Sequence, residues 1–350
     1  MSTNIRSRNK SKKNTFKDIK DKFSSKEKYK ALEYFDVGKA FQEAVGIPGP
    51  AKGHINMFLG HSDTSKTTAL IKAAADAQKK GVLPVLIITE EKFSFEYAKL
   101  LGFDCEEVVD EETGEVTWDG FFIDRYGFDY IEQAFDYITE LLDAQKKGDL
   151  PYDLLFLWDS VGTLPCKMSV EGKGGTQHTA RVIAEKWSGG LAKRITSSRK
   201  ESSMYTNSII FINQAWVELP DNPFGQPKIQ PKGGNSIYYS ASLVFLFGNE
   251  KNSGVNNITA QCKGRKVKFA VRTKVSVKKN HINGLGYMDG KLLATPTGYI
   301  ADDSKAQNEY AKENRDLWAK HFDGDFNISE LEFEDDNINT EIILPTKDEE

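Results

Sequence analysis

The sequence predicts an α/β fold, a mostly parallel sheet covered on both faces by helices, and three observations carry that prediction. The first is an apolar run over residues 55–59, then a turn led by Gly60, then the helix-forming Thr68-Ala69-Leu70-Ile71-Lys72-Ala73-Ala74-Ala75. The second is Leu154-Leu155-Phe156-Leu157-Trp158-Asp159, an unbroken apolar run ending in an acid, as expected of a strand buried on both faces. The third is the alternation of such runs with helical stretches as far as Gln214.

Residues 1–30 carry no apolar period and are expected to be disordered or weakly helical. Residues 31–50 show helical spacing through Tyr34, Val37, Phe41 and Val45, stopping at Gly46-Ile47-Pro48-Gly49-Pro50. The helix after the Gly60 turn is predicted to run to about residue 80. Residues 82–89 read as a buried strand with Glu90 and Glu91 at its end. Residues 128–147 read as an amphipathic helix, with Tyr130-Ile131, Ala134-Phe135, Ile138 and Leu141-Leu142 at spacing three and four. After the Asp159 strand comes a polar, glycine-containing stretch over 169–179, then a helix to about Arg199. Residues 208–214 form a third buried strand, ending in Asn213 and Gln214. Residues 215–236 have no apolar period but hold four prolines and three glycines, which predicts a long functional loop. Residues 242–247 and alternating stretches near 258–262 and 267–277 supply further strands.

The turn itself carries chemistry. Gly60-His61-Ser62-Asp63-Thr64-Ser65-Lys66-Thr67, with Thr68 following, matches a phosphate-binding loop except that Ser65 stands where the pattern has a second glycine. In such a loop, N–H groups at the helix start face the phosphates, the Lys66 ammonium reaches the β and γ groups, and the Thr67 hydroxyl ligates Mg²⁺. Asp159 is the matching acid, which in P-loop enzymes holds the Mg²⁺. Glu90, Asp159 and Gln214 each end a buried strand, so a parallel sheet brings them to one edge beside the loop. A carboxylate there orients a water toward the γ-phosphorus, and an amide senses whether that phosphate is present. Periodicity does not choose between Glu90 and Glu91.

Composition bounds the alternatives. A chain of 350 residues with 39% hydrophobic content buries a sizeable core. No apolar run is long enough for a membrane span, and the N-terminus reads as polar and basic rather than signal-like. Cys105, Cys166 and Cys262 lack metal-ligand spacing and read as reduced, buried thiols of a cytoplasmic protein. The net charge of −4 hides an asymmetry. Residues 1–30 hold eleven Lys and Arg against three acids, and residues 321–350 hold eleven acids against Lys347 alone. A basic arm and an acidic tail suggest a polyanion-binding protein with a built-in competitor.

Several stretches resemble the RecA family of recombinases, and within it the phage UvsX-type recombinases. Phe211-Ile212-Asn213-Gln214, the long loop, and Gly233-Gly234-Asn235-Ser236-Ile237-Tyr238-Tyr239-Ser240-Ala241-Ser242 resemble the family's segment around its second DNA-binding loop. Tyr97-Ala98-Lys99-Leu100-Leu101-Gly102-Phe103-Asp104 is similar to the stretch after the family's catalytic glutamate. That register implies the catalytic role for Glu90 and puts Tyr97 where the family stacks an aromatic ring on adenine. Trp158-Asp159-Ser160-Val161-Gly162-Thr163-Leu164 resembles the magnesium-site strand, and a non-glycine at the Ser65 position also occurs in UvsX-type loops. The resemblance covers about residues 35–300.

The resemblance implies a RecA-like P-loop ATPase core over 35–300, a basic N-terminal oligomerisation extension over 1–34, and a small acidic C-terminal region over 301–350. Lys263 and Arg265 resemble the basic pair that reaches a neighbouring subunit's γ-phosphate; cations two apart on a strand point the same way. The first DNA loop falls at about 167–179, with Lys167 and Lys173, and Arg181 follows on the next helix. The second falls at 215–234, with Trp216, Phe224, Lys228, Lys232, Gly233 and Gly234, where cations meet phosphates and aromatics stack on bases. The implied function is an ATP- and Mg²⁺-dependent, DNA-stimulated ATPase that coats single-stranded DNA as a helical filament and exchanges strands with homologous duplex. Implied further partners are a single-strand-binding protein and a loading mediator, in the host cytoplasm if the chain is phage-encoded. A hexameric RecA-like helicase and a nucleotide-binding DNA-coating protein without turnover are the alternatives.

Overall fold

The apolar runs pair as neighbours in one sheet. The computed structural model describes residues 16–24, 27–90, 92–218, 228–249, 255–262, 264–319, 321–322 and 331–336. In chain order the elements begin with α1 (residues 16–23), α2 (Lys39–Val45), β1 (Ile55–Gly60), α3 (Lys66–Lys79), β2 (Leu83–Ile88) and α4 (Phe95–Leu100). The hairpin β3 (Glu106–Val109) and β4 (Val116–Asp119), β5 (Ile123–Arg125), α5 (Ile131–Lys147), β6 (Leu154–Asp159), α6 (Lys167–Val170) and α7 (Thr176–Lys186) follow. A π-helical turn, Trp187–Leu191, joins α7 to α8 (Ala192–Ser197). Then come β7 (Ser208–Glu218), β8 (Lys228–Pro231), α9 (Ser236–Ser240) and β9 (Leu243–Phe247). The last elements are β10 (Asn256–Cys262), β11 (Arg265–Asn280), β12 (Gly290–Thr295), β13 (Gly298–Ala301), α10 (Ser304–Glu313), α11 (Arg315–Ala319) and β14 (Glu332–Asp336).

The sheet runs β13-β12-β11-β9-β1-β7-β6-β2-β5, with β10 and β14 continuing from β11 and β8 paired to β7. From β9 to β5 the strands are parallel; β11, β12 and β13 are antiparallel. Period-two alternation divides the core. Phe58, Leu86, Leu157, Ile210 and Phe245 pack with α2 and α3 on one face. Met57, Val85, Phe156, Trp158 and Phe211 pack with α5 and α7 on the other. A third cluster joins Ile258, Phe269, Tyr310 and Trp318, with Phe333 against it. The three cysteines are free and buried, as the sequence suggests.

Three local readings are corrected. The helical spacing over 31–50 yields a helix only at α2. Residues before it are extended: Phe35 N–H donates to the Pro50 carbonyl at 2.8 Å and Val37 N–H to Pro48 at 3.1 Å, while Gly38 (φ 120°) turns the chain into the helix. The fully buried Phe35 and Val37 are a period-two signal that the i, i+3 spacing of Tyr34 and Val37 concealed. Secondly, the long loop over 215–236 is partly a ribbon, because β7 continues past the sheet to Glu218 and pairs antiparallel with β8. Gln214 is therefore not a strand end but the point where β7 leaves β1.

Thirdly, the stretch over 167–179 contains α6 and the first turn of α7. Lys263 lies outside the described residues, and Arg265 opens β11 after the turn glycine Gly264 (φ 82°). Glu91, Phe224, residues 1–15 and residues 337–350 also lie outside the described residues.

Candidate functional site

The turn between β1 and α3 is shaped by its neighbours. Gly60 has no room for a side chain: a Cβ there would lie 2.3 Å from the Phe247 carbonyl oxygen on β9. Asp63 (φ 59°) and Ser65 (φ 66°) take the left-handed conformation, which costs an L residue roughly 1–2 kcal/mol. Thr64 Oγ1 donates to the His61 carbonyl at 2.8 Å, closing the turn. Lys66, the first residue of α3, is only 7% exposed. Its Nζ donates to the His61 carbonyl at 2.5 Å and to Thr64 Oγ1 at 3.3 Å.

Parallel register sets the other groups beside this turn. Gly60 is opposite Gln214 on β7, and Ile88 is opposite Asp159 across β2 and β6. Thr67 Oγ1 donates to Asp159 Oδ2 at 2.9 Å. Glu90 Oε1 accepts from Ser160 Oγ and, at 3.2 Å, from Gln214 Nε2. Thr89 Oγ1 donates to the Ser160 carbonyl at 2.8 Å, tying the ends of β2 and β6 together. Burial is the main influence on both charged groups at the centre. It raises the Asp159 carboxyl to about 6, against the Thr67 hydroxyl that favours the ionised form. It lowers the Lys66 ammonium to about 8, against the attraction of Asp159, Glu90 and Asp63.

These groups line one cavity of about 560 Å³. Ser62, Asp63, Thr64, Ser65, Lys66, Thr67 and Thr68 form one wall, Glu90, Asp159 and Gln214 the floor, and Tyr97 another side. Tyr97 comes from α4, whose start is capped by Ser94 Oγ accepting the Tyr97 N–H at 3.0 Å, and its hydroxyl lies 2.8 Å from Thr68 Oγ1. Gly60 and His61 stand behind the wall, where they shape the turn. A hydroxyl and a carboxylate oxygen side by side are hard oxygen donors, the set suited to Mg²⁺ shared with phosphate. Among the described residues no group of three or more His, Cys, Asp or Glu could hold a metal without such help. Sequence reasoning missed Lys92 and Phe93 beyond Glu90, Lys268 on β11, Thr295 at the end of β12 and Pro296 after it, all of which line the cavity. Lys268 belongs to an alternating cationic run, but nothing local says that this strand meets the turn.

Gln214 also faces away from the cavity. Its carbonyl accepts Lys232 N–H at 3.0 Å, and Asn213 Nδ2 donates to the Lys232 carbonyl at 3.0 Å. Gly233 (φ 83°) and Gly234 (φ 95°) then turn the chain against α7: Cβ atoms built there would lie 2.9 Å from Ile183 and 3.1 Å from Ala180. The end of the second segment read from sequence as a DNA loop thus packs on the helix that follows the first. Lys167 opens α6, with its ammonium 5.7 Å from the Tyr130 ring centre. Lys173 pairs with Glu171 and Arg181 with Glu185, each at 2.9 Å and exposed. Lys232 is exposed. Backbone positions Trp216 and Lys228 lie in the β7–β8 ribbon, opposite Gln230 and Glu218. Met168 and Val170 on α6 and Tyr239 on α9 add exposed apolar groups that the sequence did not single out. Arg265 does not line the cavity of its own chain. No helix among the described residues is long and apolar enough to cross a membrane.

Comparison with known proteins fits this geometry. The RecA N-terminal domain family matches residues 13–285. The chain is similar to Protein RecA of Wolinella succinogenes, 30% identical over 205 residues, which covers 57% of this chain and 49% of that protein. For Protein RecA of Syntrophobacter fumaroxidans the figures are 28% over 239 residues, covering 68% and 59%. For that of Francisella philomiragia they are 29% over 207 residues, covering 58% and 49%. The chain spans about half the length of the curated relatives it matches. With a matched segment that takes in the turn, the acid-ended strands and the β7–β8 ribbon, the chain belongs to the RecA family.

Proposed function

We propose that the chain is an ATP-dependent DNA recombinase. It forms a helical filament on single-stranded DNA, hydrolyses ATP at subunit interfaces when DNA is bound, and exchanges the coated strand with homologous duplex. The observation that carries this reading is the two-sided placement of Gln214. Its side chain donates to Glu90 in the cavity at 3.2 Å, while its carbonyl holds Lys232 beside Gly233 and Gly234 at 3.0 Å. A residue held at both ends transmits the state of one to the other by ordering a segment.

In this reading Lys66 and the turn's N–H groups hold the phosphates of ATP, and Tyr97 stacks on adenine. A polyphosphate in the cavity offsets the desolvation that lowers Lys66. Thr67 and Asp159 hold Mg²⁺, which neutralises phosphate charge when bound. Glu90 accepts the proton side of a water and aligns it with the γ-phosphorus, and Gln214 senses that phosphate. Lys263 and Arg265 act on a neighbour's nucleotide, supplying charge across the subunit interface. α1 leaves Phe16, Ile19 and Phe23 exposed, an apolar set suited to docking on the next subunit. Lys167, Lys173, Arg181, Lys232 and the ribbon bind the strand, and the acidic tail competes with DNA for the same basic surface.

The deciding experiment is strand exchange between circular single-stranded and homologous linear duplex DNA, with ATP omitted as control. ATP-dependent joint molecules and a DNA-stimulated ATPase are expected. Unidirectional unwinding of a forked duplex without exchange would identify a hexameric helicase instead. DNA coating without stimulated turnover would identify a non-hydrolysing nucleotide-binding protein.

A further inference from the structure

Ser65 occupies the glycine position of the phosphate-loop pattern, yet keeps the left-handed backbone that glycine adopts freely (φ 66°, ψ 23°). Two side chains from the antiparallel half of the sheet hold it there. Tyr299 on β13 donates its hydroxyl to the Ser65 carbonyl at 2.6 Å and lies 3.3 Å from Ser65 Oγ, although it is 234 positions away in the chain. Thr273 on β11, fully buried, donates Oγ1 to the Thr64 carbonyl at 3.2 Å, an oxygen that also accepts Ser65 Oγ at 2.6 Å. The Tyr299 ring packs 5.7 Å from Phe41 of α2, which fixes where its hydroxyl can reach.

Both donors grip carbonyls, and that has a directional consequence. In a trans peptide the N–H points opposite to the C=O. Anchoring the carbonyls of Thr64 and Ser65 to β11 and β13 therefore turns the N–H groups of Ser65 and Lys66 away from those strands. These two amides open α3, where N–H groups receive an anion. Tyr299 itself does not line the cavity, so its influence passes through the backbone.

We propose that Tyr299 is a positioning residue for the phosphate loop, holding the left-handed turn that a glycine would adopt unaided, with Thr273 gripping the preceding carbonyl. The proposal rests on the reading of the cavity as an ATP site. It makes the loop's amide orientation depend on the β12–β13 hairpin, far along the chain.

The test is a coupled substitution. Affinity for Mg²⁺ with a non-hydrolysable ATP analogue is measured by calorimetry for the wild type, Tyr299→Phe, Ser65→Gly and the double variant, alongside their thermal unfolding without nucleotide. Tyr299→Phe is expected to weaken binding about five- to tenfold in the Ser65 protein, the loss of one buried hydrogen bond, and less than about twofold in the Ser65→Gly protein. Equal losses in both backgrounds, or none in either, overturn the positioning role while leaving the ATP reading intact. A wild type that binds no analogue overturns the ATP reading and the positioning role together. Should Tyr299→Phe fail to fold, Thr273→Val carries the test, with a loss of about two- to fivefold expected. Wild-type affinity in that variant overturns the grip on the loop.

Discussion

The cavity side of Gln214 and the surface on its other side use the same residue types, and the fold treats them in opposite ways. Lys66 is 7% exposed and donates to its own loop, and Asp159 accepts from Thr67. Lys173 and Arg181 stand 69% and 75% exposed, paired with Glu171 and Glu185 on the surface. Charges withdrawn from water pay for it in shifted ionisation, and a ligand of opposite charge recovers that loss. Exposed pairs contribute about 0–1 kcal/mol and exchange readily for phosphate. The contrast suits a site selective for one nucleotide next to a surface indifferent to DNA sequence.

Substitutions at the two sites should differ accordingly. The largest effect is expected from Lys66→Ala: DNA-stimulated ATP turnover falls at least about a hundredfold, the scale for losing a charged group aimed at developing charge, measured by phosphate release. Comparable turnover in that variant would break the comparison at its strongest point.

Asp159 gives the cavity a pH signature. Because burial raises its carboxyl to about 6, Mg²⁺-dependent nucleotide binding is expected to fall as pH drops from 7 to 5, when the group takes up its proton. Asp159→Asn should bind weakly across the whole range, with no step near 6, in a fluorescence titration. A wild-type profile flat between pH 7 and 5 would count against a metal-holding role.

Gln214→Ala sharpens the comparison by cutting the link. Nucleotide affinity is expected to change less than about threefold, while the ATP-induced gain in single-strand affinity is lost, as for a conformational coupling removed at one end. The smallest effects fall on the exposed cations. Lys173→Gln and Arg181→Gln should each weaken single-strand binding only a few-fold and lower the salt dependence by about one ion. Neither should alter thermal stability. Truncation near Asp323 should strengthen DNA binding and reduce the magnesium requirement if the acidic tail competes for this surface.

Local signals made much of this protein readable. Strands at 55–60, 83–88, 154–159 and 208–214 announce themselves because burial on both faces leaves them apolar at nearly every position, Asn56 and Asn213 being exceptions. The Gly60–Thr67 turn announces itself because the phosphate-loop pattern it matches lies within eight adjacent residues. Two strand-edge groups, Asp159 and Glu90, follow from parallel pairing alone. The extended run over 34–37 reads as helix from sequence because its contacts are with residues 48–51, and the i, i+3 pair Tyr34 and Val37 masks the alternation of Phe35 and Val37. The β7–β8 ribbon carries prolines and no apolar period, so only its pairing makes it a ribbon.

The sequence by itself determined the α/β class, the turn from Gly60 to Thr67 and the acids at the strand tips, since each depends on residues close together in the chain. Tertiary structure alone decided that Gln214 links the cavity to Lys232, that Lys268 and Thr295 close the cavity, and that Tyr299 and Thr273 hold the loop carbonyls. Those contacts join segments far apart in the chain, and a side chain carries no mark of the distant backbone it will meet.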